Sequence, residues 1–255
     1  MNKKNYFDRI GIKKTDVAAD LENLKLLQRQ HLLSVPFENL DIHWKRPIDL
    51  AGNRFYDKII GEKRGGFCYE LNGLFYELLK EIGFQSKIIS ARVANGNSGF
   101  GAEYDHLAII TQIGNEEYLV DVGFGSFTAE PLKFVLDVEQ SDDNGAFLIR
   151  KYDDKYFEVV KKDGGVWRSE YIFTSLKRDL TEFAEMCRFH QTSPESHFTR
   201  GKICSLMLPD GRKTLTDGNF IETENGQKKE IVVNSDKQFN RILKNEFYIK
   251  PNFTG

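Results

Sequence analysis

Cys68 stands in the run Arg64-Gly-Gly-Phe-Cys68-Tyr-Glu-Leu-Asn72, directly after two glycines and at the first turn of a strongly helical segment. The unpaired N–H groups and the dipole at a helix N-terminus favour a thiolate, and Arg64 just upstream is expected to add positive potential. That matters because a thiol with an ordinary pKa of about 8.5 is only about 3% ionised at neutral pH. A thiolate nucleophile needs a base, and the base needs an acceptor that orients it. His106 opens the strand-like run HLAIITQI, and Asp121 lies in the facing run EYLVDVGF. A hairpin symmetric about Gly114-Asn115 sets Leu119 against Ile110, Gly123 against His106 and Asp121 against Ala108. Asp121 is then one diagonal from His106 on the same side of the sheet, whereas a one-residue slip would send it to the other side. Asp105 is the rival orienter, but neighbours on a strand point to opposite faces. A carboxylate among apolar strand residues needs a partner. Asn72, four residues after Cys68, shares its helical face and interrupts an apolar stripe with a polar group. The competing structural reading makes Cys68 a small core hydrophobe, as Cys187 and Cys204 are by their local apolar patterns.

Other chemistries lack their residues. There is no CxxC or HExxH and the five histidines are scattered, so no dedicated metal site is expected. His31 fits a helical face, His43 sits beside Trp44 in a loop-like region, and His190 and His197 fall in a polar stretch. No phosphate-binding GxxxxGK[ST] loop is present, and Gly99-Phe-Gly101 and Gly123-Phe-Gly125 lack the third glycine of a dinucleotide fingerprint. Lys and Arg total 36 against 38 Asp and Glu in 255 residues, a net charge of −2. That balance gives no electrostatic reason to expect a nucleic-acid or membrane partner. Three cysteines without paired spacing suit a reducing cytoplasm. The start, MNKKNYFDRIG, has no apolar core of a signal peptide, and no uncharged apolar stretch approaches the length of a membrane helix. The 20 Phe, 10 Tyr and 2 Trp make the chain rich in rings.

The elements that must position these groups follow from periodicity. A helix capped by Thr15 carries Leu21, Leu24, Gln28, His31 and Leu32 and ends before Pro36. A second, from Cys68 to Gly83, spaces Leu71, Leu74, Phe75, Leu78, Leu79 and Ile82 as one stripe closed by a C′ glycine. Strands are expected at 86–93, 106–113, 117–123, 146–152, 155–161 and 166–173, an interval that suggests a barrel or sandwich. A helix returns near Asp179 with Leu180, Phe183, Ala184 and Cys187 on one face. Hairpins turn at Pro209-Asp210-Gly211 and Asn225-Gly226. The last helix opens on a Ser235/Gln238 capping box and buries Phe239, Ile242 and Leu243. Helices, then strands, then a mixed end make an α+β protein.

The stretches RGGFCYELNGLF, DHLAII and VDVGFGS together resemble the arylamine N-acetyltransferases. YFDRIG near the start and PFENL at 36–40 match that family's early motifs, and CSLMLPDGRKTL resembles its C-terminal part. The resemblance implies an N-terminal helical bundle (1–84), a central β-barrel (85–178) and a C-terminal α/β lid (179–255). It implies a cysteine-protease-like triad, mapping onto Cys68, His106 and Asp121, and a ping-pong reaction. Acetyl-CoA would acylate Cys68, and an arylamine, hydrazine or arylhydroxylamine would then take the acetyl group. Arg64, Glu38 and Asn72 would support the triad, with an Arg–Glu pairing bracing the cysteine loop. By motif match Phe37 and Phe124 would line the acceptor pocket, and Gly123, Gly125 and Ser126 would let coenzyme A approach the backbone. The segment GNSGFGAEYD before His106, glycine-rich and acidic, departs from longer relatives. Three alternatives stay open: an amide synthase of polyketide assembly, a papain- or transglutaminase-like hydrolase, and a non-catalytic ligand-binding protein with an inert thiol.

Overall fold

The computed structural model describes residues 1–14, 16–96, 99–125 and 127–250. The chain opens with α1 (Lys3–Arg9) and α2 (Leu21–Ser34). The Thr15 cap expected for α2 lies outside the described residues; Asp20 caps the helix, accepting from the Asn23 N–H at 2.8 Å. A two-residue strand β1 (Phe37–Glu38), helices α3 (Leu40–His43) and α4 (Gly52–Tyr56) and a π-helical turn over Asp57–Gly61 lead into α5 (Cys68–Ile82). The expected stripe of α5 is buried from Leu71 to Leu79, and its end falls on Gly83 at φ 108°, a left-handed cap that favours glycine.

Eight antiparallel strands follow: β2 (Gln85–Val93), β3 (His106–Ile113), β4 (Glu116–Val120), β5 (Leu132–Lys133), β6 (Gln140–Asp142), β7 (Gly145–Lys151), β8 (Phe157–Asp163) and β9 (Val166–Phe173). They form one sheet in the order β5-β4-β3-β2-β9-β8-β7-β6 that curls into a nearly closed barrel. Its two edges meet through a side chain. The Gln140 carboxamide accepts from the Lys133 N–H at 2.8 Å and donates to the Lys133 carbonyl at 2.9 Å, in place of a backbone ladder. The β3–β4 register is the expected one, with Ile110 opposite Leu119. Period two then sorts the side chains: Ile110 and Leu119 fill the barrel, while Ile109 and Val120 pack with the helices around α5. β5 and β6, of two and three residues, are too short to show an alternation.

A 3₁₀ turn (Leu180–Phe183), α6 (Ala184–Thr192) and α7 (His197–Arg200) precede β10 (Ile203–Leu208), β11 (Gly211–Thr216), β12 (Asn219–Glu224), β13 (Gln227–Val232) and α8 (Asp236–Phe247). Phe183 and Cys187 are buried as expected, but Ala184 is exposed, because the tighter 3₁₀ winding before it shifts the phase of the stripe. β1 joins the last sheet, Phe37 opposite Ser205, giving the order β1-β10-β11-β12-β13. Cys204, Leu215 and Phe220 on one face of this sheet pack on Phe239 and Leu243 of α8. At the head of α8, Ser235 Oγ accepts from the Gln238 N–H at 3.3 Å. The Gln238 side chain reaches the Asn234 N–H at 3.0 Å, one residue before the position a capping box uses.

Among the helices, His31 is fully buried, with Nδ1 2.7 Å from Tyr6 Oη, its ring edge-on to Phe75 and Nε2 without a partner. Burial, and secondarily the charge of Arg9, push its pKa down to about 3. An unfolded histidine takes its proton near pH 6.5, so between these values the unfolded state binds more protons than the folded one. Stability is therefore fully present above about pH 6.5 and falls as the pH drops toward about 3, by up to about 1.4 kcal/mol per pH unit. Urea unfolding between pH 7 and 5 is expected to show this slope, and His31→Gln to reduce it, with His197, also pushed down by burial, leaving a smaller remainder; an equal slope in the variant would exonerate His31.

Candidate active site

The cysteine loop is held too tightly for side chains. A Cβ on Gly65 would lie 1.9 Å from the Pro36 carbonyl oxygen, and one on Gly66 2.8 Å from Glu70 Cβ. The close approach is made by β1: the Glu38 N–H donates to the Gly66 carbonyl at 2.8 Å. Beneath the loop lies a buried ion network. Arg64 bonds Glu38 Oε1 at 2.6 Å and Asp41 Oδ1 at 2.5 Å, and Lys58 reaches Asp41 Oδ2 and Glu70 Oε1, both at 2.9 Å. Glu70 also accepts from the Phe67 N–H at 3.1 Å, and Glu38 from the Leu40 N–H at 2.8 Å. Burial opposes the charge on Lys58, but Glu38, Glu70 and Asp41 outweigh it and hold the ammonium above the ordinary lysine range. Burial pushes the Glu70 carboxyl up, against the pull of Lys58. The Arg–Glu pairing is present, and Asp41 is a second carboxylate matched to the Arg64 guanidinium.

Cys68 begins α5, buried, and the ladder that would continue β4 past Val120 breaks off above it. Asp121, with 0% of its surface exposed, is what the break serves. Its Oδ2 lies 2.6 Å from His106 Nε2 and accepts from Tyr171 Oη at 3.3 Å; its Oδ1 accepts from Asn72 Nδ2 at 2.8 Å and the Gly123 N–H at 2.9 Å. Asn72 also donates to the Leu107 carbonyl at 2.6 Å and accepts from the Val122 N–H at 2.8 Å, tying α5 to both strands. His106 lies on a strand flanked on both sides, and its ring packs edge-on to Phe124 at 5.2 Å. With Nε2 on Asp121, Nδ1 is the nitrogen left to exchange a proton with a thiol. Burial above all, then Asp105, push the Cys68 thiol up, against a hydrogen bond from the Leu107 backbone.

Cys68, His106, Phe37, Gly123, Phe124 and Gly125 line one cavity of about 680 Å³. Gly123 is required by packing, since a Cβ there would lie 2.8 Å from Cys68 Cα and 2.7 Å from Asn72 Nδ2. Gly125 has open space at its Cβ position, and Ser126 lies outside the described residues. Glu38 and Arg64 stay below the loop. Sequence reasoning missed Tyr171, one aromatic in a strand among many, and the buried Asp41, Lys58 and Glu70. It also missed a second pairing at the cavity wall. His190 is buried with Nε2 3.2 Å from Asp105 Oδ1, and His197 lines the same cavity. Among the described residues no group of three or more His, Cys, Asp or Glu side chains is arranged to hold a metal ion, and no helix is long and apolar enough to cross a membrane. A buried thiol and an imidazole on one cavity, with a fully bonded carboxylate on the imidazole, are the parts of a nucleophilic acyl-transfer site.

Comparison with known proteins places this geometry. A family model described as N-acetyltransferase matches residues 20–253. A pineal-gland isozyme of arylamine N-acetyltransferase from Gallus gallus is 32% identical, covering 98% of this chain and 94% of its own. The arylamine N-acetyltransferase of Salmonella typhimurium superposes with a TM-score of 0.91 at 26% identity, over 99% of this chain and 92% of that one. The Mycobacterium marinum enzyme, solved in complex with CoA, gives 0.89 at 27% identity, over 97% and 93%. The chain belongs to the arylamine N-acetyltransferase family and is an acyltransferase.

Proposed function

We propose that the protein moves an acetyl group from acetyl-CoA to small arylamines, hydrazines or arylhydroxylamines through an acetyl-Cys68 intermediate. The observation that carries this reading is the buried Cys68–His106–Asp121 constellation opening on the cavity, supported by the relative that binds CoA. His106 Nδ1 takes the Cys68 proton, Asp121 supports the resulting positive charge, and the thiolate attacks the thioester carbonyl. Collapse of the tetrahedral intermediate breaks the bond to coenzyme A, whose thiolate leaves with the proton from His106. Donor and product are both thioesters, so this half-reaction runs easily either way. An acceptor amine then attacks acetyl-Cys68, loses its proton to His106 and departs acetylated, while Cys68 regains a proton. Backbone N–H groups at the start of α5 are suited to stabilise the oxyanion.

Phe37 and Phe124 are proposed as walls for the aryl ring, and Gly123, Gly125 and Ser126 as the backbone that coenzyme A approaches. In this reading residues 1–84 supply the nucleophile, 85–178 its base and orienter, and 179–255 cover the cavity. Three free cysteines suit action in a reducing cytoplasm.

Incubation with acetyl-CoA followed by intact mass measurement is expected to show a single labile acetyl adduct, absent in Cys68→Ser. A folded protein that takes no acetyl group would reject the mechanism, and acylation only from a carrier-bound chain would favour an amide synthase. Asp121→Asn keeps the shape of the side chain but cannot support the His106 charge. Its kcat/KM is expected to fall by about 10³- to 10⁴-fold with far-UV circular dichroism retained; undiminished turnover would show that Asp121 does not orient the histidine.

A further inference from the structure

Asp105 stands next to His106 in the chain but pairs with a different imidazole. Neighbours along an extended backbone point to opposite sides, so the His106 ring meets Asp121 while the Asp105 carboxylate reaches His190 on α6, Oδ1 3.2 Å from Nε2. The separation is that of an ion pair, without the alignment of a hydrogen bond. His190 Nδ1 lies 3.1 Å from Ser196 Oγ, which caps α7, so each ring nitrogen has an oxygen beside it. Tyr69, Phe189 and Phe198 stand around the ring. In such a collar an unmatched charge is costly and a matched one strongly held. The other imidazole that feels Asp105 is His197 of α7. Burial first, then the charges of His190 and Arg200, push it down from the ordinary histidine range against the pull of Asp105, so His190 is left to match the carboxylate.

This pair borders the nucleophile. Asp105 and Cys68 line the same cavity. Tyr69, the residue after Cys68, donates from Oη to the Tyr104 and Asp105 carbonyls at 2.7 and 3.3 Å, which ties the start of β3 to the head of α5. The carboxylate is itself held in place: Oδ2 accepts from the Val93 N–H at 3.3 Å, and Gly101 passes so close that a Cβ there would overlap it. A negative charge fixed at that point opposes a thiolate, and Asp105 stands second only to burial among the causes that push the Cys68 thiol up. Among the described residues the contact with His190 is the one ion pair that Asp105 makes. A proton on His190 therefore decides whether Cys68 faces a bare carboxylate or a matched one.

We propose that a protonated His190 cancels the charge of Asp105 and so lets Cys68 form its thiolate at lower pH, a second histidine–carboxylate pair that acts on the nucleophile without touching substrate; the proposal rests on Cys68 being the nucleophile of the acetyl-transfer reading above. The rate of Cys68 alkylation by iodoacetamide against pH, with Cys68→Ser as the blank, measures it. Asp105→Asn keeps an acceptor for the Val93 N–H but removes the charge. It is expected to move the transition down by about 1 pH unit, about a tenfold gain in thiolate below the midpoint. His190→Gln leaves the carboxylate unmatched and is expected to move the transition up by a similar amount. The two together are expected to behave as Asp105→Asn does, since nothing is left for the imidazolium to cancel. Shifts of the same sign in both single variants, as lost bracing would give, or no shift in either one, overturn the proposal, while a labile acetyl adduct on the wild-type protein leaves acetyl transfer standing. A second measurement needs no change at His190: its titration, followed by NMR, is expected to fall to lower pH in Asp105→Asn, and an unaltered titration also overturns the pair.

Discussion

A carboxylate with none of its surface exposed to water is costly unless every lone pair finds a donor. Asp121 meets that condition with donors from four places in the chain: Asn72 on α5, His106 on β3, Tyr171 on β9 and the Gly123 backbone just past β4. Each donor depends on the next. The Gly123 N–H reaches the carboxylate because the chain leaves the sheet after Val120, and it can leave there because Gly123 has no Cβ to strike Cys68. Asn72 reaches it because α5 packs along β3, where the same side chain bonds the Leu107 carbonyl. The helix that carries Cys68 and the barrel that carries His106 are thus joined at the Asp121 carboxylate, the proposed orienter of the histidine.

The ion network beneath the cysteine loop does different work. Glu38, Asp41 and Glu70 against Lys58 and Arg64 leave three carboxylates facing two cations, and the network is closed to the cavity. Its product is the shape of the loop: Glu70 holds the Phe67 N–H, Glu38 orders the turn into Leu40, and two glycines pass against β1. Arg64 is matched there by Glu38 and Asp41, so in the proposed mechanism the charge that supports a Cys68 thiolate is assigned to His106. Burial above all, then Asp105, push the Cys68 thiol up, against a hydrogen bond from the Leu107 backbone.

Much of this was legible in the sequence. The α5 stripe, six of the barrel strands and the β3–β4 register follow from periodicity and a symmetric Gly114-Asn115 turn, and that register puts Asp121 on the side of His106. Asn72 announced itself as a polar residue in an apolar stripe. Tyr171 could not, since one aromatic in a β-strand is ordinarily core. The joining of β1 to β10 brings together residues more than 160 positions apart through two backbone pairs, and no local pattern records it. His190 looked polar by its neighbours; its burial depends on α6 packing against Asp105.

The central claim is that His106, held by Asp121, takes the Cys68 proton. Thiolate absorbance followed against pH tests it directly, with Cys68→Ser as the blank. Wild-type protein is expected to form the Cys68 thiolate at a lower pH than His106→Ala, in which burial and the nearby carboxylates drive the transition above the ordinary thiol value of about 8.5. Coincident transitions in the two proteins would show that Cys68 ionises without His106, and would contradict the account.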